Sequence, residues 1–249
     1  MAAPGTKGDH MDVYKLTTIR ERIEGNPYVG RGIIIGQTED ASRAVTAYFI
    51  MGRSANSRNR VFLEQGDDLM IKPFDESKVE DPSLIIYYPI RRIPGGLIVT
   101  NGDQTDTIYD FYREGKSFEE ALRTREFEPD GPNWTPRISG ILHFAEEGFC
   151  YQMSILKSAD AEGSACSRFF YEYPALPGVG HFLHTYVTDG SPIPTFQGEP
   201  ERVSIPDDID AFTEEIWNHL NEDNRISLYV RCTDLKDGST ENRLINRYE

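Results

Sequence analysis

The sequence predicts an α+β fold: one domain built on large, mostly antiparallel sheets with helices outside. Three observations predict it. Short runs rich in Ile, Val, Tyr and Phe recur between Gly, Pro, Asp and Asn, which is how strands and their turns read. Only three stretches carry helical signals. No Pro/Ser-rich linker and no internal repeat divides the 249 residues. Residues 1–12 are small and polar and read as a disordered N-terminus, so the domain is assigned to 13–249.

Taken in order, strands are expected at 28–36, 44–52, 59–64, 84–93 and 96–100. Two helices follow. One runs 104–114 with Asp103 near its N-cap, and the second runs 117–125, where Ser117 stands three residues before Glu120 in capping-box spacing. Strands resume at 136–144, 149–156, 167–173 and 180–188. The stretch 188–206 is the loosest part. A third helix spans 208–221, because Ile209, Phe212, Ile216 and Leu220 share one face. A last strand is expected at 226–232.

The charge narrows the partners. With 26 Lys+Arg against 41 Asp+Glu the net charge is −15, which argues against wrapping nucleic acid or docking on an anionic membrane. One small phosphate ligand stays compatible, since a pocket can be locally basic on an acidic protein. Cys150, Cys166 and Cys232 are odd in number and lack C-x-x-C spacing, which points away from a disulfide framework and towards a reducing, cytoplasmic setting. The N-terminus has no apolar signal-peptide core, and no apolar run approaches the ~20 residues of a membrane helix.

Several short patterns fail on inspection. Gly30-Arg31-Gly32 with Gly36 has G-x-G-x-x-x-G spacing and lies inside a strand, not in the turn after one. Gly115-Lys116-Ser117 looks like the end of a P-loop, but Asp110 stands in place of the first glycine. His181 and His184 are three apart in an expected strand, so they face opposite sides and are not expected to share a metal. No metal site is expected.

Three constellations carry chemistry. The segment 52–60 holds Arg53, Arg58 and Arg60 with Ser54, Ser57, Asn56 and Asn59, and no carboxylate. Guanidinium forks match phosphate oxygens, and Ser and Asn add neutral donors, so this loop reads as an anion site. The segment Thr100-Asn101-Gly102-Asp103 ends a strand and opens a helix, which either offers backbone N–H groups to a ligand or is only a capped turn. The segment 126–138 holds Glu128 and Asp130, candidate acids or bases, with Asn133, Trp134 and Thr135 between Pro132 and Pro136, and Arg137 at the start of a strand.

These motifs occur in an order that resembles the archaeal-type IMP cyclohydrolase family. The matches are Tyr28-x-Gly30-Arg31, Ala47-Tyr48, Arg53-Ser54 with Asn59-Arg60, Thr100-Asn101-Gly102 with Thr105-Asp106, and Thr135-Pro136-Arg137-Ile138, across about residues 28–140. The resemblance implies an αββα four-layer sandwich like that of N-terminal-nucleophile hydrolases, without an autoprocessed nucleophile. That agrees with Tyr28, which follows 27 residues. It also implies closure of formamidoimidazole-carboxamide ribotide (FAICAR) to inosine monophosphate (IMP) with loss of water, the last step of purine synthesis, using no cofactor.

By position in the family pattern, Arg31, Arg53 and Arg60 are assigned to the phosphate and the formyl oxygen. Tyr87 and Glu128 are the proton-handling pair, with Tyr88 the register alternative to Tyr87. Asn101, Gly102 and Asn133 recognise base or ribose, and Arg137 holds the Glu128 loop or the ligand. Thr100, Ser54 and Asn59 complete the substrate-binding set. Two departures stand out. The 53–60 loop is longer than the archaeal Arg-Ser-Phe-Pro-Asn-Arg, and the archaeal Ala-Tyr-Arg is Ala47-Tyr48-Phe49 here, which makes Arg58 the candidate replacement for the lost arginine. The expected partner is one nucleotide monophosphate, and a homo-oligomer stays open. The alternatives are an amidohydrolase of similar fold acting on another small amide, and a purine-nucleotide-binding protein without catalysis.

Overall fold

Alternating apolar residues build two sheets in the computed structural model, which describes residues 12, 14–78, 87–146 and 148–248. The first elements are α1 (Ile19–Ile23), β1 (Arg31–Gln37), β2 (Arg43–Met51), α2 (Ala55–Arg58), β3 (Val61–Gln65) and β4 (Asp68–Lys72). After a 3₁₀ turn at Glu76–Lys78 come β5 (Tyr87–Ile93), β6 (Gly96–Thr100), α3 (Gln104–Arg113) and α4 (Phe118–Arg123). The chain continues through β7 (Arg137–Ala145), β8 (Gly148–Ser158), β9 (Cys166–Pro174), β10 (Val179–His184) and β11 (Glu201–Ser204). It ends with α5 (Ile209–His219), β12 (Arg225–Asp234) and β13 (Thr240–Asn246).

The fold is α+β, as expected. One sheet has six strands in the order β11-β10-β1-β2-β12-β13, and the other has seven in chain order from β3 to β9. Every pairing between these named strands is antiparallel. No helix among the described residues is long and apolar enough to cross a membrane.

The expected strands and the three expected helices are present, with shifted ends. The strand expected from 28 begins at Arg31, because Gly30 takes a positive φ of 80° and turns the chain into the ladder. The strand expected at 180–188 stops at His184. Five elements escaped the periodicity reading. β4 and β11 are short, and β13 is a half-exposed edge strand of mostly polar residues. α1 and α2 have five and four residues, too few to show a period, although Thr18 and Glu21 form a capping box. Residues 1–11 and 84–86 lie outside the described set, and with them most of the expected N-terminal segment and the start of one expected strand.

Strand alternation sorts the core into separate apolar clusters. In one, Ile33 and Ile35 of β1 and Tyr48 and Ile50 of β2 meet Phe62, Ile71, Tyr87, Val99 and Leu142 of the other sheet. Residues one step along, Ile34, Ala47 and Phe49, instead pack with Ile19 and Ile23 of α1 and Phe212 and Ile216 of α5. A third cluster joins Ile98, Ile141 and Leu156 to Ile108 of α3 and Phe118, Ala121 and Leu122 of α4. Each such side chain contributes roughly 1.5–3 kcal/mol when fully buried. Arg31 lies two residues before Ile33, so it shares the face that looks at the other sheet.

The glycines that mimicked a dinucleotide fingerprint serve packing. Gly36 pairs with Gly180 across β1 and β10, and a Cβ on Gly36 would lie 2.5 Å from the Gly180 Cα and 2.6 Å from the Val179 carbonyl oxygen. Backbone atoms cannot yield as a side chain can. Gly36→Ala is therefore expected to cost about 1–3 kcal/mol, read as a lower urea midpoint at unchanged slope.

Candidate functional site

Where β1 begins and β2 ends, a cleft of about 280 Å3 opens between three loops: the turn carrying α2, the segment before β7, and the chain after β10. Arg31 and Arg60 line it, only 9% and 8% exposed. Among the described residues neither guanidinium has an ion-pair partner, and the buried Arg60 Nε has no hydrogen-bond partner. Burial and the nearby Arg31 charge hold Arg60 below its ordinary pKa. For Arg31 burial opposes the charge, but Tyr28, Glu128 and Tyr87 outweigh it and hold it above its ordinary value; an anion in the cleft relieves the cost that remains at Arg60.

Glu128 faces them from the loop before β7. It is half-buried, and among the described residues no ion pair reaches it. Burial raises its carboxyl above the ordinary value, with Arg31, Arg137 and Arg60 pulling the other way. Its backbone N–H donates to the Thr135 carbonyl at 2.9 Å, which closes the loop. Trp134, with φ of 44°, anchors the loop by donating from Nε1 to the Ala161 carbonyl at 2.9 Å and by setting its ring edge-on to Phe127.

Tyr87 lies in the inter-sheet cluster, with its hydroxyl 3.1 Å from that of Tyr48. Arg60, Arg31 and Glu128 act on its charge, yet it is not among the residues that line the cleft. Burial raises both phenols, Tyr48 well above the ordinary value. Tyr88 goes the other way: its hydroxyl donates to Gln65 Oε1 at 3.0 Å on the far face of β5. Of the two registers, only Tyr87 points towards the site.

The 53–60 loop divides. Ser54 caps α2 and lines the cleft beside Asn56 and Ser57. Arg53 stands at the mouth over the Tyr28 ring, ion-paired to Asp189 and donating to the Gly190 carbonyl at 3.0 Å. The loop that holds no carboxylate thus receives one from far along the chain. Arg58 corrects the expectation of a replacement arginine. It donates to the Gly52 carbonyl and to Asn224 Oδ1, each at 3.0 Å, and so braces the loop away from the cleft. Asn59 is also turned away, with both ends of its amide on the Asp75 backbone at 2.7 and 2.8 Å.

The expectation for 100–102 is corrected as well, because none of these residues lines the cleft. Thr100 shares its hydroxyl with Thr105 and Gly102. Asn101 is saturated: Nδ2 donates to the Pro136 carbonyl at 2.9 Å, and Oδ1 accepts from the Ile138 N–H at 2.9 Å and from Gln104 Nε2 at 3.0 Å. Gly102 leaves room for Arg137, since a Cβ there would lie 2.6 Å from a guanidinium nitrogen. Arg137 pairs with Asp103 at 2.7 Å and with Gln104 Oε1 at 2.8 Å, not with Glu128. Together these residues form a brace behind the Glu128 loop, and Asp103, expected near the N-cap of α3, spends its carboxylate on Arg125 and Arg137 and makes no capping hydrogen bond. Asn133 does line the cleft, where its Oδ1 accepts from the Ile193 N–H at 3.1 Å.

Sequence reasoning assigned no role to several residues of the cleft: Tyr28, Thr135, Tyr186 and Ile193. Thr135 lay inside a quoted motif, but Tyr186 and Ile193 come from a stretch that carries no motif. His181 and His184 face opposite sides as expected. One bonds Tyr151 through Nδ1 at 2.6 Å, and the other bonds the Tyr186 carbonyl at 2.7 Å.

The family described as IMP cyclohydrolase-like protein matches residues 28–238. The chain is similar to the IMP cyclohydrolase of Methanopyrus kandleri, 30% identical over 166 residues, which are 61% of this chain and 81% of that one. It is 35% identical over 120 residues to that of Methanocella arvoryzae, covering 46% of this chain and 57% of the relative. It is 28% identical over 163 residues to that of Methanococcus aeolicus, covering 64% and 74%.

The brace and the cleft separate by mutation. Asn101→Ala strands the Ile138 N–H and the Pro136 carbonyl, so it is expected to lower stability by about 1–3 kcal/mol in urea denaturation. Affinity for a purine monophosphate, measured by calorimetry, should stay at the parent value.

Proposed function

The chain belongs to the IMP cyclohydrolase-like protein family, and from that membership we propose that it is an IMP cyclohydrolase, closing FAICAR to IMP with loss of water. The observation that carries the reading is the pair of buried guanidiniums, Arg31 and Arg60, which share the cleft with a half-buried Glu128 and, among the described residues, are held in no ion pair. A phosphorylated substrate supplies the anion that such a pair lacks.

The reaction is intramolecular. The carboxamide nitrogen attacks the formyl carbon, and the resulting carbinolamine loses water. Holding the two groups together is worth up to about 7–11 kcal/mol of the barrier. Arg31 and Arg60 serve the phosphate or the oxygen on which charge develops, and Arg53 serves the phosphate at the mouth. Glu128, raised by burial, is suited to give a proton to that oxygen. Tyr87 acts from beneath the arginines. The chemistry needs no cofactor.

The three apolar clusters support a helix–sheet–sheet–helix order of layers like that of N-terminal-nucleophile hydrolases, within one domain over 13–249. The charge of −15 argues against nucleic-acid binding, and the three cysteines, free in the structure, support a cytoplasmic setting. The withdrawal of Tyr87 from the cleft favours a second reading, nucleotide binding without turnover.

Incubation with FAICAR, followed by purine absorbance, decides between the readings: cyclisation is expected, and IMP binding without it selects the second. Glu128→Gln should lower kcat with little change in IMP affinity; an unchanged kcat removes Glu128 from proton transfer. The same substitution tests the buried carboxyl by stability. A carboxyl raised on folding gives stability that is complete below its unfolded value of about 4.3 and is lost as pH rises through the folded one. Glu128→Gln should therefore gain on the parent in thermal unfolding as pH rises from about 4 towards 8.

A further inference from the structure

Opposite Glu128, three oxygen-bearing side chains stand in line. The Tyr186 hydroxyl is 2.6 Å from Thr135 Oγ1, and Thr135 Oγ1 bonds Asp130 Oδ2. The Thr135 backbone N–H donates to Asp130 Oδ1 at 2.7 Å, which fixes the carboxylate against the loop. All three residues line the cleft with Arg31 and Glu128. Tyr186 and Thr135 are buried, whereas Asp130 is exposed at the rim. The Tyr186 ring is held by stacking on Tyr28, with centroids 5.8 Å apart.

Counting hydrogens gives the line a direction. An ionised carboxylate only accepts, so the one hydroxyl hydrogen of Thr135 goes to Asp130. Thr135 Oγ1 must then accept in its bond with Tyr186, so the phenol hydrogen points at Thr135. What Tyr186 turns to the cleft is a lone pair. A phenol used this way is an acceptor with an exit for its own proton.

We propose that Tyr186 is the catalytic base of the ring closure, with Thr135 and Asp130 as positioning residues that carry its proton away. The proposal rests on the cyclohydrolase reading above. In the addition step the carboxamide nitrogen bonds the formyl carbon, and the C=O π pair moves onto oxygen, which takes a proton from Glu128. The nitrogen gives a proton to the Tyr186 oxygen, the phenol proton passes to Thr135, and the Thr135 proton passes to Asp130. The step ends with Glu128 ionised and Asp130 neutral. The dehydration that follows releases one more N–H proton and needs one proton to leave with the hydroxyl. An ionised Glu128 and a neutral Asp130 are what that balance requires. Burial raises the Glu128 carboxyl, against the pull of Arg31, Arg137 and Arg60.

The test is FAICAR turnover and IMP binding by the full chain and its variants. Thr135→Val cuts the line, and kcat should fall about 100-fold with KM little changed. Thr135→Ser restores the hydroxyl and should recover most of that loss. The solvent-deuterium proton inventory should be curved for the parent and straight for Thr135→Val. Turnover by the parent with an unchanged kcat in Thr135→Val overturns the relay and leaves the cyclohydrolase reading standing. No turnover by the parent removes both. Where Thr135→Val fails to bind IMP, Tyr186→Phe decides: a parental kcat in that variant overturns the base assignment.

Discussion

Two guanidiniums, Arg31 and Arg60, line the cleft at the end of the inter-sheet space, and among the described residues neither is held in an ion pair. Their mutual repulsion is unscreened by bulk water, so the surrounding structure has to hold them in place against it. The rest of the site follows from this. Arg31 is locked because it begins a strand whose next inward residues, Ile33 and Ile35, are wholly buried. Arg60 is locked between the capped turn of α2 and the start of β3. The facing loops supply the acceptors and Glu128, which shares the same low-dielectric surroundings. A binding site for an anion here is therefore only partly compensated by the fold, chiefly at Arg31, and a ligand adds the rest at Arg60.

The loop bearing Glu128 and Asp130 is closed by its own bonds to Thr135 and is braced further from behind. There Asn101 fastens Pro136 and Ile138 while Asp103 joins Arg125 and Arg137. These contacts are local hydrogen bonds between β6, the start of α3 and the lead-in to β7. A ligand-binding role for 100–102 and a bracing role predict the same residue types, Asn, Gly and Asp, because both need backbone-directed polar groups.

Much of the fold was legible in the sequence because its period is strong. The inward and outward residues of β1 and β2 alternate over whole strands, and the α5 face of Ile209, Phe212 and Ile216 reads directly. β13 was not legible, since an edge strand with half-exposed polar residues has no apolar period to show. Within the site, Arg53 and Arg60 were legible from a loop rich in donors and free of carboxylates, whereas Arg31 and Glu128 were singled out by position in the family pattern. Arg58 and Asn59 misled, because a donor-rich loop gives no sign of which donors its own backbone will consume. Tyr186 and Asp189 were invisible: one lines the cleft from the end of an expected strand and the other pairs with Arg53 at the mouth, and only tertiary contact gives them a partner.

The register of β1 has a consequence for how this protein can change length. A single inserted residue between Arg31 and Ile33 would put the arginine and the two isoleucines on opposite faces, so either Ile33 and Ile35 leave the other sheet or the arginine leaves the cleft. Core and cleft cannot both keep their places through such an indel. The turn carrying α2 lies outside both ladders, and one extra residue there moves no strand face. Divergence in length is thus channelled into the rim of the site, where it alters what the mouth admits while the buried arginines keep their places.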